Sequence, residues 1–176
     1  MRDTFAVIIR LAAADDAAFL PEIERSAARA FLTLPDLGWT PGDFVESEDE
    51  HLASIARGTL WVAEHDGEIV GFVSASIVGA ELHIDEIDVP LDHQKKGIGR
   101  LLVASALSFA LERGLEAVTL TTFREVAWNA PFYKSVGFRV LDSSETGPRL
   151  QAILDLEVLH GLPREKRCAM RMIIGY

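Results

Sequence analysis

The amino-acid sequence predicts an α/β fold in which helices cover a mixed β-sheet. Strand-like and helix-like apolar patterns alternate along the chain, which is typical of layered folds that combine both elements. Residues 97–113 form a helix pattern with only a thin polar stripe, so this helix is predicted to be largely buried against the sheet. The 176 residues, of which 49% are hydrophobic and 25% charged, suit a single domain over 1–176.

The first half of the chain is predicted to supply four strands and two helices. Alternating apolar residues and turn signals place the strands at 4–10, 60–65, 68–77 and 81–89. Asp66-Gly67 joins the second and third strands as a hairpin turn. The helical patterns cover 15–31 and 41–57, and Gly58 ends the second of them.

The second half of the chain is predicted to alternate helices with strands. After the helix at 97–113, we expect a strand at 117–122, a short helix at 131–136, a strand at 138–141, a helix at 148–160 and a strand at 168–174. The apolar stripe of the helix at 148–160 either caps the core or faces a partner subunit, which leaves a homodimer open.

Composition disfavours several classes of function. The net charge of −10 disfavours nucleic-acid binding, which needs a basic surface, and it is compatible with a cationic substrate or simply with solubility. No stretch reaches the ~18 uninterrupted apolar residues of a membrane helix. The single cysteine, Cys168, permits no internal disulfide, which fits a cytoplasmic location. No spacing of histidine, aspartate or glutamate indicates a metal site.

The segment from Val89 to Arg100 carries the first indication of chemistry. Pro90 ends the preceding strand, and Gly97 and Gly99 then permit a tight turn directly before the long helix. A helix N-terminus attracts anions, and the outward N–H groups of a glycine turn bind phosphate oxygens. Three basic residues add positive charge in an otherwise acidic chain: Lys95, Lys96 and Arg100. The segment therefore predicts a phosphate or pyrophosphate site, although two glycines also make an ordinary turn.

This segment resembles the acyl-CoA-binding signature of the GNAT superfamily of N-acetyltransferases. Gln94-x-x-Gly97-x-Gly99 matches the family pattern of Gln or Arg, two residues, Gly, one residue, and Gly or Ala. The resemblance implies a mostly antiparallel sheet with a bulged central strand, helices on both faces, and acetyl-CoA as cosubstrate. The residues expected to contact acetyl-CoA here are Ile87, Asp88, Val89, Gln94, Lys95, Lys96, Gly97, Ile98, Gly99 and Arg100.

The strand at 81–89 is predicted to contain a β-bulge. Its apolar residues fall at Leu82 and Ile84 and then at Ile87 and Val89, so the alternation slips by one residue near Asp85-Glu86. A bulge frees backbone N–H and C=O groups, with which the amide chain of pantetheine pairs as an added strand. After the slip, one face presents His83, Asp88 and one or both of Asp85 and Glu86.

A second segment, Trp128 to Phe138, resembles the other GNAT signature, Asn-x-x-Phe-Tyr-x-x-x-Gly-Phe. Pro131 suits the first turn of a helix and Gly137 suits its end. The resemblance implies that Asn129 and Phe132 help to hold the CoA arm and that Tyr133 protonates the departing thiolate. A phenol of pKa near 10 is able to do so, although a buried tyrosine hydroxyl also serves structure alone.

The resemblance implies an N-acetyltransferase in which an amine attacks the thioester directly, in a ternary complex. An ammonium group must first lose a proton, and Glu86 and His83 are the predicted bases, with water as the alternative. These side chains also suit a solvated or salt-bridged strand face. His51 is predicted to lack a partner at a suitable spacing, and the acidic run at 46–50 suits a solvated helix face better than a site that attracts a cationic substrate.

Several acceptors and one function without catalysis remain open. Acidity favours a small cationic amine, and the alternatives are a protein lysine, a protein N-terminus, or a sensor that binds acyl-CoA without turnover. A nucleotide-binding module is a further alternative, but the chain lacks the G-x-x-x-x-G-K-[S/T] pattern.

Overall fold

The computed structural model describes residues 6–37 and 45–174. The strands are Ile8–Leu11 (β1), Leu60–His65 (β2), Glu68–Val78 (β3), Glu81–Asp88 (β4), Ala117–Phe123 (β5), Arg139–Val140 (β6) and Arg167–Ile173 (β7). They form one seven-stranded sheet in the order β1-β2-β3-β4-β5-β7-β6. β4 and β5 pair in parallel, whereas β1–β2, β2–β3, β5–β7 and β6–β7 pair antiparallel. The predicted mixed, mostly antiparallel sheet is therefore confirmed.

The α-helices of the described residues are Leu20–Ala28 (α1), Glu48–Ala56 (α2), Ile98–Glu112 (α3), Ala130–Ser135 (α4) and Pro148–Leu159 (α5). The helix predicted at 15–31 is α1 with a 3-10 turn on either side. α3 buries Ile98, Leu102 and Val103, but Leu101 and Leu111 are 45% and 60% exposed, so the predicted burial holds for one face of the helix only. Within the described residues, no helix is both long and apolar enough to cross a membrane.

The helix predicted at 41–57 starts later than the sequence pattern indicated. The Ser47 hydroxyl accepts a hydrogen bond from the Glu50 N–H at 3.4 Å, and the Glu50 carboxylate accepts one from the Ser47 N–H at 2.7 Å. This reciprocal capping box satisfies two N–H groups at the start of α2 and fixes it at Glu48. Residues 45–47 are not helical, and 41–44 lie outside the described residues.

The chain forms two compact units, of which the first comprises 1–76 and 84–109. Its core is built from α1 and the strands β2 and β3, whose side chains form one cluster: Leu20, Ile23, Leu60, Val62 and Phe72. Gly71 of β3 permits a close backbone approach, because a Cβ atom there would lie 2.9 Å from the Asp88 carbonyl oxygen. This approach fixes the end of β4, where the predicted site begins.

The second unit comprises 77–83 and 110–176. Leu150 and Leu154 of α5 pack with Leu141 and Ala169. The helix therefore covers the core of this unit, which is the first of the two alternatives that the sequence left open. Leu156 and Leu159 of the same helix are exposed. The prediction of a single domain over 1–176 and that of a homodimer stay predictions.

Candidate active site

The segment after β4 forms a closed loop in the first unit. A 3-10 turn at Leu91–His93 follows Pro90. The side-chain amide of Gln94 then donates a hydrogen bond to the Val89 carbonyl at 3.0 Å. Gln94 therefore ties the loop back to the strand end, which assigns a structural role to this position of the predicted signature. The residues from Gln94 to Gly99 are called the 94–99 loop below.

The turn of the 94–99 loop uses the left-handed backbone region twice. Gly97 has a φ of 86° and Lys95 a φ of 62°. A Cβ atom on Gly97 would meet nothing within 4 Å, so the space in front of the turn is open. The sequence predicted that Gly99 takes part in the turn. This prediction is wrong, because Gly99 lies inside the first turn of α3.

The 94–99 loop has the properties of an anion site. The first N–H groups of α3, including those of Ile98 and Gly99, have no acceptor within the helix, and the helix dipole places partial positive charge there. The side chains of Lys95, Lys96 and Arg100 are exposed beside them. Backbone donors and basic side chains in this arrangement suit the oxygens of a phosphate or pyrophosphate.

A second group of functional side chains in the first unit is an acidic cluster. It comprises Glu24 of α1, Glu46 and His51 at the start of α2, and Glu86 and Asp88 of β4. The donor atoms of Glu24, Glu86 and Asp88 all lie within 4.8 Å of one another, and so do those of Glu24, Glu46 and His51. Because both groups contain Glu24, the five side chains form one continuous cluster.

His51 lies between two of these carboxylates. Its Nε2 is 2.6 Å from Glu24 Oε1 and its Nδ1 is 3.5 Å from Glu46 Oε2. The imidazole is fully buried and meets the Phe72 ring edge-on at 5.3 Å between centroids. The predictions that His51 lacks a partner and that Glu46 belongs to a solvated helix face are therefore wrong. Glu48, Asp49 and Glu50 are exposed, as predicted.

The acidic cluster contains several buried atoms that lack a hydrogen-bond partner among the described residues. They are Glu24 Oε1, Glu46 Oε2, Asp88 Oδ2 and both ring nitrogens of His51. The short contact between Glu24 and His51 is thus an ion-pair distance without the direction of a hydrogen bond. Buried polar atoms are almost always paired, so a group of unpaired ones indicates room for a ligand, an ion or water.

Burial changes the acidity of the two β4 carboxyl groups. It raises the pKa of Glu86 well above its usual value, and the charges of Asp88 and Glu24 act in the same direction. Burial also raises the pKa of Asp88, to about 7, and a hydrogen bond with Glu86 partly opposes that increase. The two groups titrate as a pair, so near neutral pH the pair holds a proton that it is able to exchange.

The raised pKa of Asp88 predicts an unusual dependence of stability on pH. Because the folded Asp88 binds its proton more tightly than the unfolded chain does, its stabilising effect is complete below about pH 4 and is lost as pH rises through about 7. Asp88→Asn should therefore lose less unfolding free energy than the wild type when pH rises from 5 to 8. Urea unfolding at both pH values tests this, and Asp49→Asn, an exposed aspartate, is the control. If the unfolding free energy changed equally from pH 5 to pH 8 in the wild type and in Asp88→Asn, the assigned burial of Asp88 would be contradicted.

Sequence reasoning missed Glu24, Glu46 and His51. Glu24 lies within the buried stripe of α1, beside Leu20, Ile23 and Ala27, so an acid on an apolar helix face was a readable signal. The other two followed from no local pattern, because the contact between Glu24 and His51 depends on how α1 and α2 fold together. The cluster provides two sets of possible metal ligands, and the predicted absence of a metal stays a prediction.

The remaining acidic and basic residues of β4 have other partners. Asp85 accepts a hydrogen bond from the Ser76 hydroxyl at 2.6 Å. In the second unit, His83 Nδ1 lies 3.0 Å from Thr119 Oγ1. Burial, assisted by the charge of Arg149, lowers the pKa of His83 to about 4, so the imidazole is neutral near pH 7. Parallel pairing of β4 with β5 covers Glu81 to His83, and the predicted bulge beyond it stays a prediction.

The second signature lies on α4 in the second unit. Tyr133 is buried and contacts Phe132 and Phe138 edge-on, at 5.1 and 5.7 Å between ring centroids. Asn129 precedes the helix, and its Oδ1 is buried without a hydrogen-bond partner among the described residues. The amide oxygen of Asn129 accepts no hydrogen bond from the described residues, so the predicted role of Asn129 in ligand binding stays a prediction.

Comparison with known proteins decides the family. A model of the acetyltransferase (GNAT) family matches residues 22–138, which is more than half of the chain. The chain belongs to the GNAT family. The matched region contains the acidic cluster, the 94–99 loop and α4.

Individual GNAT proteins resemble parts of the chain. N-acetyltransferase 8 of Homo sapiens is 30% identical over 119 residues, which cover 62% of this chain and 52% of that protein. Streptothricin acetyltransferase of Streptomyces lavendulae is 36% identical over 108 residues, which cover 59% of this chain and 54% of that protein. The chain thus spans about half the length of these two curated relatives.

A solved GNAT structure has the same fold over nearly the whole chain. PaiA N-acetyltransferase from Thermoplasma acidophilum, crystallised with coenzyme A, matches with a TM-score of 0.73. The match covers 96% of this chain and 99% of that chain at 18% identity, which shows the fold alone.

Proposed function

We propose that this GNAT protein is an N-acetyltransferase that moves the acetyl group of acetyl-CoA to the primary amine of a small cationic acceptor. The observation that supports the proposal most directly is the 94–99 loop. Gly97 adopts a left-handed turn at the N-terminus of α3, with open space before it and basic side chains beside it. Such a turn suits the pyrophosphate of CoA.

The two signatures would bind different parts of acetyl-CoA. The backbone N–H groups of Gly97, Ile98 and Gly99, with Lys95, Lys96 and Arg100, would hold the phosphates. Ile87, Asp88 and Val89 would pair through their backbone with the pantetheine amides, if the predicted bulge frees those groups. The unpartnered amide oxygen of Asn129 supports a further hydrogen bond from the CoA arm, beside Phe132.

The acidic cluster supports an amine as the second substrate. An alkylammonium group has a pKa near 10 and must lose a proton before its nitrogen can attack. The nitrogen then forms a bond to the thioester carbonyl carbon and loses a second proton, the C–S bond breaks, and CoA leaves as a thiolate that takes up one proton. Of the two protons that the ammonium nitrogen loses, one is therefore released overall, and a carboxylate that exchanges protons near neutral pH suits its removal.

Glu86 is a better base for this step than His83. The Glu86–Asp88 pair has a raised pKa, which increases the affinity of the carboxylate for the amine proton. The pKa of His83 is lowered to about 4, so its imidazole binds a proton weakly. We therefore assign proton removal to Glu86, with Asp88 as its hydrogen-bonded partner.

The predicted role of Tyr133 as the acid for the CoA thiolate gives a kinetic expectation. Tyr133→Phe removes only the hydroxyl and should lower kcat by about 10²-fold. This is the lower limit of the usual effect of a general acid, because a thiolate leaves readily without help. KM for acetyl-CoA should change little. Steady-state kinetics measures both constants, and a thermal melt checks that the buried ring still packs. A kcat within twofold of the wild type would remove Tyr133 from the chemistry.

The proposed function as a whole is tested by isothermal titration and by thiol release. We expect the folded protein to bind acetyl-CoA but not ATP, and to release free CoA thiol when primary amines are added. Acetyl-CoA binding without thiol release from any amine would indicate a sensor. A folded protein that does not bind acetyl-CoA would contradict the proposal. The predicted cytoplasmic location stays a prediction.

A further inference from the structure

The acidic cluster contains more negative charge than the described residues compensate. It combines four carboxyl groups with one imidazole, and within the described residues no lysine or arginine forms an ion pair with any of the four. A buried charge without a partner of opposite sign is costly. A bound cation would restore the charge balance.

The spacing of three carboxylates suits a primary ammonium group. An ammonium nitrogen has three N–H donors, and charge-assisted hydrogen bonds place each oxygen about 2.7–2.9 Å away. The tetrahedral arrangement of the donors then separates the oxygens by roughly 4.4–4.7 Å. One oxygen of each of Glu24, Glu86 and Asp88 lies no more than 4.8 Å from the other two, an upper limit that the oxygens around a single bound nitrogen satisfy. Asp88 Oδ2 is buried without a hydrogen-bond partner among the described residues, so it is available to such a donor, and Glu24 adds a negative charge beside it.

His51 is a second indication, independent of the carboxylates. Its imidazole is fully buried, neither ring nitrogen makes a hydrogen bond among the described residues, and its Nε2 lies 2.6 Å from Glu24 Oε1. The Phe72 ring packs against it. His51 therefore fixes the position of Glu24, and Glu46 adds negative charge at Nδ1.

We propose that Glu24, positioned by His51, joins Glu86 and Asp88 to bind the ammonium nitrogen of an amine whose neighbouring carbons are unbranched methylenes. This inference rests on the proposed function and names the acceptor class. The Glu24 side chain is 3% exposed, so the groups next to the nitrogen must enter a buried site. Methylenes enter at little cost, whereas the amide beside a peptide α-amino group would lose its hydrogen bonds to water.

Titration of the protein, with and without CoA, tests the inference without turnover. The probes are n-butylamine, sec-butylamine, which is branched beside the nitrogen, alaninamide as a model of a peptide N-terminus, and Nα-acetyl-lysinamide as a model of a protein lysine. We expect n-butylamine to bind at least tenfold more tightly than sec-butylamine and alaninamide. Equal affinity of Nα-acetyl-lysinamide would extend the class to protein lysines, and much weaker affinity would restrict it to small amines; both results support the subsite.

Two variants on α1 distinguish the loss of this binding site from a general loss of negative charge. Glu24→Gln should weaken n-butylamine binding at least tenfold, whereas Glu22→Gln, whose side chain is 66% exposed on the same helix, should leave it unchanged. Glu24→Asp, which keeps the charge and withdraws the carboxylate, is the second variant if Glu24→Gln does not fold. Titration in two buffers of different ionisation enthalpy should show proton release on binding to the wild type near pH 7.

Three results would overturn the inference: equal amine affinity in Glu24→Gln and Glu22→Gln, tighter binding of alaninamide than of n-butylamine, or binding of Mn²⁺ that depends on Glu24 without any binding of amine. Failure of the proposed function looks different. In that case n-butylamine binds in a Glu24-dependent way, but acetyl-CoA does not bind and no thiol is released.

Discussion

Replacement of Gly97 by glutamate is expected to lower the affinity for acetyl-CoA by about 100-fold, or ~3 kcal/mol. Two effects contribute. A side chain with Cβ strains the left-handed backbone at a φ of 86°. A carboxylate in the open space before the turn also repels the phosphates, and like charges at an interface cost several kcal/mol. Isothermal titration of wild type and variant measures the difference.

Gly67→Glu is the matched control for this prediction. Gly67 lies in the β2–β3 hairpin with a φ of 81°, and a Cβ atom there also meets nothing within 4 Å. The two variants therefore have the same backbone strain and the same added charge, at different places. We expect Gly67→Glu to lose some stability and to keep its affinity for acetyl-CoA. If both variants bind acetyl-CoA as tightly as the wild type, the 94–99 loop is not the phosphate site.

Replacement of Glu86 by glutamine is expected to lower kcat by 10²- to 10⁴-fold, the usual range for a general base. The variant keeps the shape of the side chain and loses only its ability to take up the amine proton. Asp88 remains as a poorer base in the same cluster, so the loss should lie towards the smaller value. KM for acetyl-CoA should be nearly unchanged, because the loop that holds its phosphates is intact.

The pH profile separates a base from a packing role at Glu86. In the wild type, kcat/KM should rise with pH as the Glu86–Asp88 pair of the free enzyme loses its proton, near neutral pH because the pKa of Asp88 is raised to about 7. In Glu86→Gln this limb should disappear, and the rate should instead follow the free amine, which increases up to about pH 10. Glu22→Gln serves as the control. A variant that keeps the wild-type profile at a lower rate would show that Glu86 does not remove the proton.

Local patterns predicted the elements of the fold better than their ends. The strands β2, β3, β4, β5 and β7 lie within two residues of their predicted limits, because alternating apolar residues and strong turn signals bound them. The start of α2 was misplaced because helical periodicity in 41–57 outweighed the capping pattern from Ser47 to Glu50. A capping box depends on two polar residues at positions i and i+3, and the spacing of apolar residues gives no information about them.

The candidate site likewise contains parts that local sequence predicts and parts that it does not. The 94–99 loop was predictable because Gly97, Gly99 and the neighbouring basic residues are adjacent in sequence. The acidic cluster was predictable only at Glu86 and Asp88, which lie two apart on one strand and therefore share a face. Glu24 and His51 meet at 2.6 Å across 27 positions, so only the packing of α1 with α2 reveals them.

The most direct test of the central claim follows the acetyl group itself. Stoichiometric protein, acetyl-CoA and n-butylamine are mixed, and mass spectrometry and a thiol reagent quantify N-acetylated amine and free CoA in one time course. We predict that the two products form in a one-to-one ratio, at a rate that falls at least 100-fold in Glu86→Gln. CoA release without acetylated amine, or equal rates in wild type and variant, would contradict the account.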